Sequence, residues 1–180
     1  MSSKPAWRQL IPRYQVPPLP PMSGTEKLAL LIGTGLGSGF AKPMAASWGS
    51  IPGFFYFILV SRLPWPAALA IFAAMLIPAV WSGTICERLL ACKDPRPVVI
   101  DEIAAVPFAL WPLWLHWPAH LLSWFILFAI YRVADWAKPW PAHALQSVPG
   151  GLGILIDDLI SSTYMGIGLF LFLRFFPSVL

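Results

Sequence analysis

The amino-acid sequence predicts an all-α protein of the polytopic membrane class. About five spanning helices are expected, plus a short interfacial or re-entrant helix near the N-terminus. Three observations carry that expectation. Hydrophobic residues make up 58% of the 180 residues and charged residues only 11%, with a mean hydropathy of +0.70, far from an average soluble domain. Helices of such composition are apolar on more than one face, which suits lipid rather than water. The apolar stretches are cut by short breaks of Pro, Gly or charge, and the basic residues crowd into alternate breaks. The length suits one domain: a Pro-rich cytosolic leader over 1–24, then a single membrane-embedded domain over 25–180.

In the leader, Pro12, Pro17, Pro18, Pro20 and Pro21 favour an extended, polyproline-like chain. A solvated tail is the plain reading, and a partner-docking arm is the functional alternative. No uninterrupted apolar core precedes Lys27, which argues against a cleaved signal peptide. The stretch over about 25–41, beginning "TEKLALLIGTGLGSGF", is Gly-rich and short for a span, so it reads as interfacial or re-entrant. Spans follow over about 48–63 and 66–90, separated by "RLPWP". A fourth helical region runs from "KDPRP" to about 116, a fifth over about 121–138 after "HWPAH", and the last over about 152–176. Pro78, Pro107 and Pro112 each remove a backbone donor and are expected to kink their helices.

Charge orients the bundle. Lys4, Arg8, Arg13, Lys27 and Lys42 precede the first span; Arg88, Lys93 and Arg96 follow the second; Arg132 and Lys138 end the fourth. Ten of the twelve basic residues thus share one side, with only Arg62 and Arg174 opposite, and the positive-inside rule makes the crowded side cytosolic. Trp65, Trp114, Trp117 and Trp124 gather towards the other face, as interfacial belts do. Five spans then put the N-terminus inside and the C-terminus outside. The net charge of +4 is scattered rather than striped, which excludes nucleic acid as a partner. Cys86 and Cys92 lie on the cytosolic side, where disulfides are uncommon, and open no C-x-x-x-x-x-R phosphatase loop. Both read as small interior residues.

The acids carry the functional argument. Glu26 and Glu87 look peripheral, whereas Asp94, Asp101, Glu102, Asp135, Asp157 and Asp158 fall at one membrane depth near the cytosolic side. One aspartate at mid-bilayer costs roughly 2.5–3.5 kcal/mol on insertion scales, so the Asp157–Asp158 pair calls for compensation. Six carboxylates in a small volume repel unless protonated or neutralised. Arg132, Asp135 and Lys138 step by three and share a helix face. Two bases and several acids could form a purely structural network. The surplus of acids fits a hard divalent cation, and Mg²⁺ suits an open carboxylate site that also receives phosphate oxygens. No His/Cys zinc set is present.

Two glycine segments lie on the same side: "GTGLGSG" (Gly33, Gly35, Gly37, Gly39) and "GGLG" (Gly150, Gly151, Gly153). The first lacks the strand–turn–helix context of a dinucleotide fingerprint. Close helix packing through small residues is one reading; backbone amides lining a phosphate site are the other. His116 and His120 sit on the outer side, away from the acids. His143 reads as a solvated loop residue, with a proton shuttle as the alternative.

Three motifs, "KDPRPVVIDE", "YRVADWAKPWP" and "GGLGILIDDL", occur in this order, and together they resemble the phosphatidylglycerophosphatase A family of small bacterial inner-membrane enzymes. The resemblance runs from about Gly33 to Ser162. It matches Asp94, Asp101 and Glu102 to the family's first block; Arg132, Asp135, Lys138 and Pro139 to the second; and Gly150, Gly151, Gly153, Asp157 and Asp158 to the third. Departures occur at "AASWGS", where Gly49 and Ser50 are retained and Ser47 replaces a threonine, at Ala105 in place of a glycine, and at Ser161–Ser162 in place of a small pair. The resemblance implies a multi-pass enzyme of the bacterial inner membrane, its active site facing the cytosol. Its reaction would be Mg²⁺-dependent hydrolysis of phosphatidylglycerophosphate to phosphatidylglycerol and phosphate, in phospholipid biosynthesis. The domain over 25–180 is then catalytic.

Under that reading Asp101, Glu102, Asp157 and Asp158 hold the metal, with Asp94 or Asp135 in direct or supporting contact. Arg132 and Lys138, helped by amides at Gly35, Gly37, Gly150 and Gly151, bind the phosphoryl oxygens of a membrane phospholipid. An activated water or an aspartate attacks phosphorus. Two alternatives stand beside it. Intramembrane carboxylates also mark ion or anion carriers, although no internal repeat is present. A relative that binds lipid phosphates without catalysis fits the departures.

Overall fold

The computed structural model describes residues 19–41, 45–114, 118 and 120–176, with side chains at 45 and 46 excluded. Most of the Pro-rich leader, Lys42, His116 and Trp117 therefore lie outside the described residues. Among the described residues every regular element is helical: α1 (Gly24–Gly33), α2 (Ala45–Val60), α3 (Trp65–Leu89), α4 (Ile100–Leu110), α5 (Leu121–Ala137), α6 (Ala142–Leu145) and α7 (Gly151–Phe175), with 3-10 turns at Ser38–Phe40 and Trp111–Trp114.

α1 starts where Ser23 and Glu26 cap each other, each side chain bonded to the other's backbone amide, a reciprocal arrangement that satisfies two orphan donors. It runs antiparallel along the end of α3. Glu26 meets Arg88 at 3.2 Å, and the Cys86 thiol points at the Ala29 carbonyl. The stretch expected to be helical to 41 stops at Gly33. Gly35, Leu36 and Gly37 have φ values of 55°, 58° and 91°, left-handed geometry that glycine adopts without strain and that breaks the helix. The Val99 amide donates to the Gly33 carbonyl at 2.9 Å, which ties this turn to the start of α4.

α4 is the centre of the bundle. All of its residues except Phe108 are buried, as expected for a helix that is apolar all round beyond its first turn. It packs on α7, α2 and α3. One apolar cluster surrounds its C-terminal half, where Phe54, Phe57 and Phe72 meet Val106, Leu110 and Leu113. A second surrounds its N-terminal half, where Val99 and Ile103 meet Cys86, Leu90, Ile154 and Leu155. The helix is shorter than the sequence suggests. It ends at Leu110, and the Trp111–Trp114 turn, which contains Pro112, takes over, because proline withholds the donor that an α-helix needs there.

Small residues set the closest contacts. Gly83 on α3 faces Gly151 on α7, so that a Cβ built at Gly83 would lie 3.0 Å from the Gly151 Cα. Such pairs let two helix backbones approach.

Two helices, α3 and α7, are long and apolar enough to cross a membrane, and only 28% and 44% of their most apolar stretches are buried. A helix in the core of a soluble protein would be mostly buried. α2 contributes a shorter apolar segment, Ser47–Val60. Five spans were expected; among the described residues two helices reach spanning length. The exterior is apolar: Phe55, Leu59, Ile77, Leu122, Phe125, Phe172 and Phe175 are exposed, while Asp101, Glu102, Asp157 and Asp158 are buried.

Candidate active site

Four stretches deliver the acids. Asp101 and Glu102 open the first turn of α4; Asp135 lies near the end of α5; Asp157 and Asp158 sit in the second turn of α7; Asp94 precedes α4 in the turn after α3. Asp157 and Asp158 are 1% and 4% exposed, and Asp101 and Glu102 are both 6% exposed. Burial this deep costs several kcal/mol per isolated charge, so the partners decide whether the arrangement holds.

Two sub-clusters result. In the first, Arg132 Nη1 lies 3.2 Å from Glu102 Oε2 and 3.0 Å from Asp135 Oδ2. Ser50 on α2 donates to Glu102 Oε2 at 2.5 Å and accepts from Arg132 Nη1 at 3.2 Å. The Tyr131 hydroxyl donates to the Glu102 carbonyl at 3.3 Å. In the second, the Lys138 ammonium pairs with Asp157 Oδ2 and lies 3.9 Å from Asp158 Oδ1. Asp101 and Asp158 lie close enough for their charges to interact. Gln146, just after α6, donates from Nε2 to Asp94 Oδ2 at 2.9 Å.

The Arg132–Asp135 stripe expected from the sequence is present, but Lys138 does not continue it. α5 ends at Ala137 and Lys138 takes a left-handed conformation with φ of 36°, because Pro139 disfavours a helical residue before it. Its side chain is thereby turned across to α7. Asp94 is also left-handed, with φ of 47°. Non-glycine residues held this way cost about 1–3 kcal/mol each and cluster at functional sites.

The glycines behave differently from the acids. The Gly35 amide donates to the Ile32 carbonyl, and the Gly37 amide to Thr34. The Gly151 amide donates to Thr84 Oγ1 at 2.8 Å, and Gly150, with φ of 75°, caps α7. Gly35, Gly37 and Gly151 thus spend their amides within the fold, and packing is the reading that their contacts favour. His143 is exposed on α6. Cys86 is buried and Cys92 half-buried, both as free thiols.

Sequence reasoning left Gln146, Tyr131 and Thr84 without a role and gave Ser50 none beyond its match to the family motif. Only Ser50 had a signal, its place in "WGS". Gln146 sits in a loop of no periodicity, and nothing local links it to Asp94.

Arg132 and Lys138 hold the acids in two groups, and among the described residues no three His, Cys, Asp or Glu side chains stand together as a finished metal cage. Yet Asp101 Oδ1 and Asp157 Oδ1 are buried with no hydrogen-bond partner. Unsatisfied buried carboxylate oxygens are rare and costly. With six acids set against two bases, these hard oxygen donors fit a divalent cation such as Mg²⁺.

Residues 31–173 match the phosphatidylglycerophosphatase A family. Among curated relatives, a Bacteroides thetaiotaomicron protein provisionally named a phosphatidylinositol-3-phosphatase is 30% identical over 145 residues, covering 76% of this chain and 88% of the relative. The phosphatidylglycerophosphatase A of Escherichia coli strain K12 is 26% identical, covering 73% and 75%. That of Haemophilus influenzae is 28% identical, covering 78% and 85%. No solved structure matches the chain. The match spans every acid and base of both sub-clusters, and the chain belongs to the phosphatidylglycerophosphatase A family of phosphoric monoester hydrolases.

Proposed function

We propose that the chain is a multi-pass bacterial inner-membrane enzyme of phospholipid biosynthesis. On this reading it hydrolyses the terminal phosphate of phosphatidylglycerophosphate at the cytosolic face, with Mg²⁺ as cofactor. The observation that carries this reading is the pair of buried, unpartnered oxygens, Asp101 Oδ1 and Asp157 Oδ1, within an acid cluster that two bases cannot neutralise. Asp101, Asp157 and Asp158 are the first candidates to hold the cation, with Glu102 joining from its pair with Arg132. When bound, the cation offsets phosphate charge and makes water a better nucleophile.

The protein's own groups supply the rest. Arg132 and Lys138 bind phosphoryl oxygens and balance charge spread over a loose transition state. Ser50 and Asp135 hold the Arg132 guanidinium, and Gln146 holds Asp94. A water oxygen bonds to phosphorus as the phosphorus–oxygen bond to glycerol breaks; a carboxylate takes the water's proton, and one proton ends on the glycerol oxygen. The apolar exterior and the two span-length helices support a bilayer setting, in which the shorter α2 and α5, and α4 extended by the Trp111–Trp114 turn, make the other three crossings. Acids near the cytosolic interface cost less there than at mid-bilayer and reach a headgroup while its acyl chains stay in lipid.

The test is phosphate release by the detergent-purified chain from phosphatidylglycerophosphate, with Mg²⁺ and after chelation. Release that needs Mg²⁺ is expected; release unaffected by exhaustive chelation would remove the metal, and no release from folded protein would remove the substrate. The Bacteroides relative's name favours a second substrate, a phosphatidylinositol carrying a 3-phosphate. The same assay with that lipid decides between them.

A further inference from the structure

A cleft of about 940 Å³ opens at the end of the bundle opposite the acids. Its origin is a mismatch in helix length. α3 and α7 have 25 residues each, about 37 Å at 1.5 Å per residue. α4, which lies between them, has 11, about 16 Å. Where α4 gives out into the Trp111–Trp114 turn, the two long helices are left without a filler. Leu69 of α3, Pro107 and Trp111 around the end of α4, and Phe170 of α7 line the gap. Trp111 stacks on Phe170, with centroids 5.3 Å apart and planes at 25°. That stacking relies on Gly166, where a Cβ would lie 2.7 Å from Trp111 Nε1.

The lining has one charge, Arg174. It is exposed, and among the described residues it has no ion-pair partner. It lies 16 residues beyond Asp158 on α7, about 24 Å along the axis, so the cleft is separate from the acid site. The volume is at the upper end of the roughly 300–1,000 Å³ usual for ligand sites. An apolar slot with a cation at its rim has the polarity of an anionic lipid turned inside out.

We propose that this cleft is a phospholipid-binding site. It seats an acyl chain of an anionic lipid from the leaflet opposite the active site, with the net negative charge of its headgroup facing Arg174. The proposal rests on the membrane-spanning reading above. Charge complementarity selects the headgroup, and the aromatic walls take the chain.

The test uses the full chain reconstituted in nanodiscs of equal phosphatidylserine and phosphatidylcholine, then released in mild detergent and weighed intact with its retained lipid. Phosphatidylserine is chosen because it is neither substrate nor product of the proposed reaction. Retained phosphatidylserine should exceed phosphatidylcholine about three- to fivefold, the upper part of the range of one exposed ion pair. Arg174→Gln should bring the ratio near one, and Leu69→Trp should lower total retention by filling the slot; both should keep phosphate release. A wild-type ratio near one overturns the proposal. So does a preference that survives Arg174→Gln, or retention unchanged in Leu69→Trp. A chain that enters nanodiscs and hydrolyses substrate without these signatures overturns the cleft alone. A chain that stays soluble without detergent and fails to enter overturns the spanning reading and the cleft with it.

Discussion

Substituting Gly151 tests how the fold aims the acids of α7. A methyl group there would press on the Val80 carbonyl oxygen and lie 2.8 Å from the Thr84 amide nitrogen. Both are backbone atoms of α3 and cannot swing aside, so Gly151→Ala must push α7 off α3. Overpacking of this kind costs about 1–3 kcal/mol, offset by at most the 0.5–1 kcal/mol or so that alanine gains over glycine in a helix. A net loss of about 1–2 kcal/mol lowers Tm by about 2–8 °C in a chain of this size. The internal control is Gly168→Ala on the same helix, where nothing lies within 4 Å of the added carbon; its Tm should hold or rise. Asp157 and Asp158 ride two turns beyond Gly151, and misplacement near 1 Å costs about 10²-fold in rate, so phosphate release should fall at least about tenfold in Gly151→Ala only. Thermal unfolding followed by tryptophan fluorescence in detergent, beside the phosphate assay, reads both effects. The alanine keeps the amide that donates to Thr84, so any loss is steric. Equal Tm and full activity in the two variants would refute the packing argument.

Further outcomes follow from the two sub-clusters. Asp101→Asn and Asp158→Asn should each lower phosphate release by about 10²-fold or more while the chain still elutes as a folded particle; full activity would remove that residue from the reaction. Ser50→Ala strips Glu102 of its 2.5 Å donor and should destabilise by about 1–3 kcal/mol, read as a lower Tm, with Ser50→Thr restoring most of it. At the far end of α1, the backbone and then the side chain of Ser23, with a smaller contribution from Arg88, hold the Glu26 carboxyl below its ordinary pKa against a small effect of burial. A depressed carboxyl stabilises above its unfolded pKa of about 4.3, and that contribution fades as pH falls through the lower folded value. Ser23→Ala should therefore speed hydrogen exchange of the α1 amides at pH 7, and the difference from wild type should shrink towards pH 3.

Local chemistry made most of the helix order legible. The apolar stretches, the breaks at "RLPWP", "KDPRP" and "HWPAH", and the acids at helix starts are properties of a few adjacent residues. Helix type and order follow from them. The length of α4 was less legible. Pro107 sits inside it without ending it, whereas Pro112 lies in the turn that replaces it. A proline's effect depends on whether neighbours can absorb the missing bond.

The sequence by itself determined that six carboxylates and two bases gather near one face, because charge is confined to the breaks between apolar stretches and the helix turns beside them and is costly to bury among apolar side chains. Which base meets which acid was decided by tertiary structure alone. Lys138 reaches Asp157 rather than Asp135 because Pro139 ends α5 and turns the lysine across the bundle, and Gln146 reaches Asp94 over 52 residues of chain. The glycines show the same division: spacing located them, but only the crossing of α3 and α7 at Gly83 and Gly151 made them contacts. Contacts between distant segments depend on where backbones cross, and a crossing is a property of the packed whole.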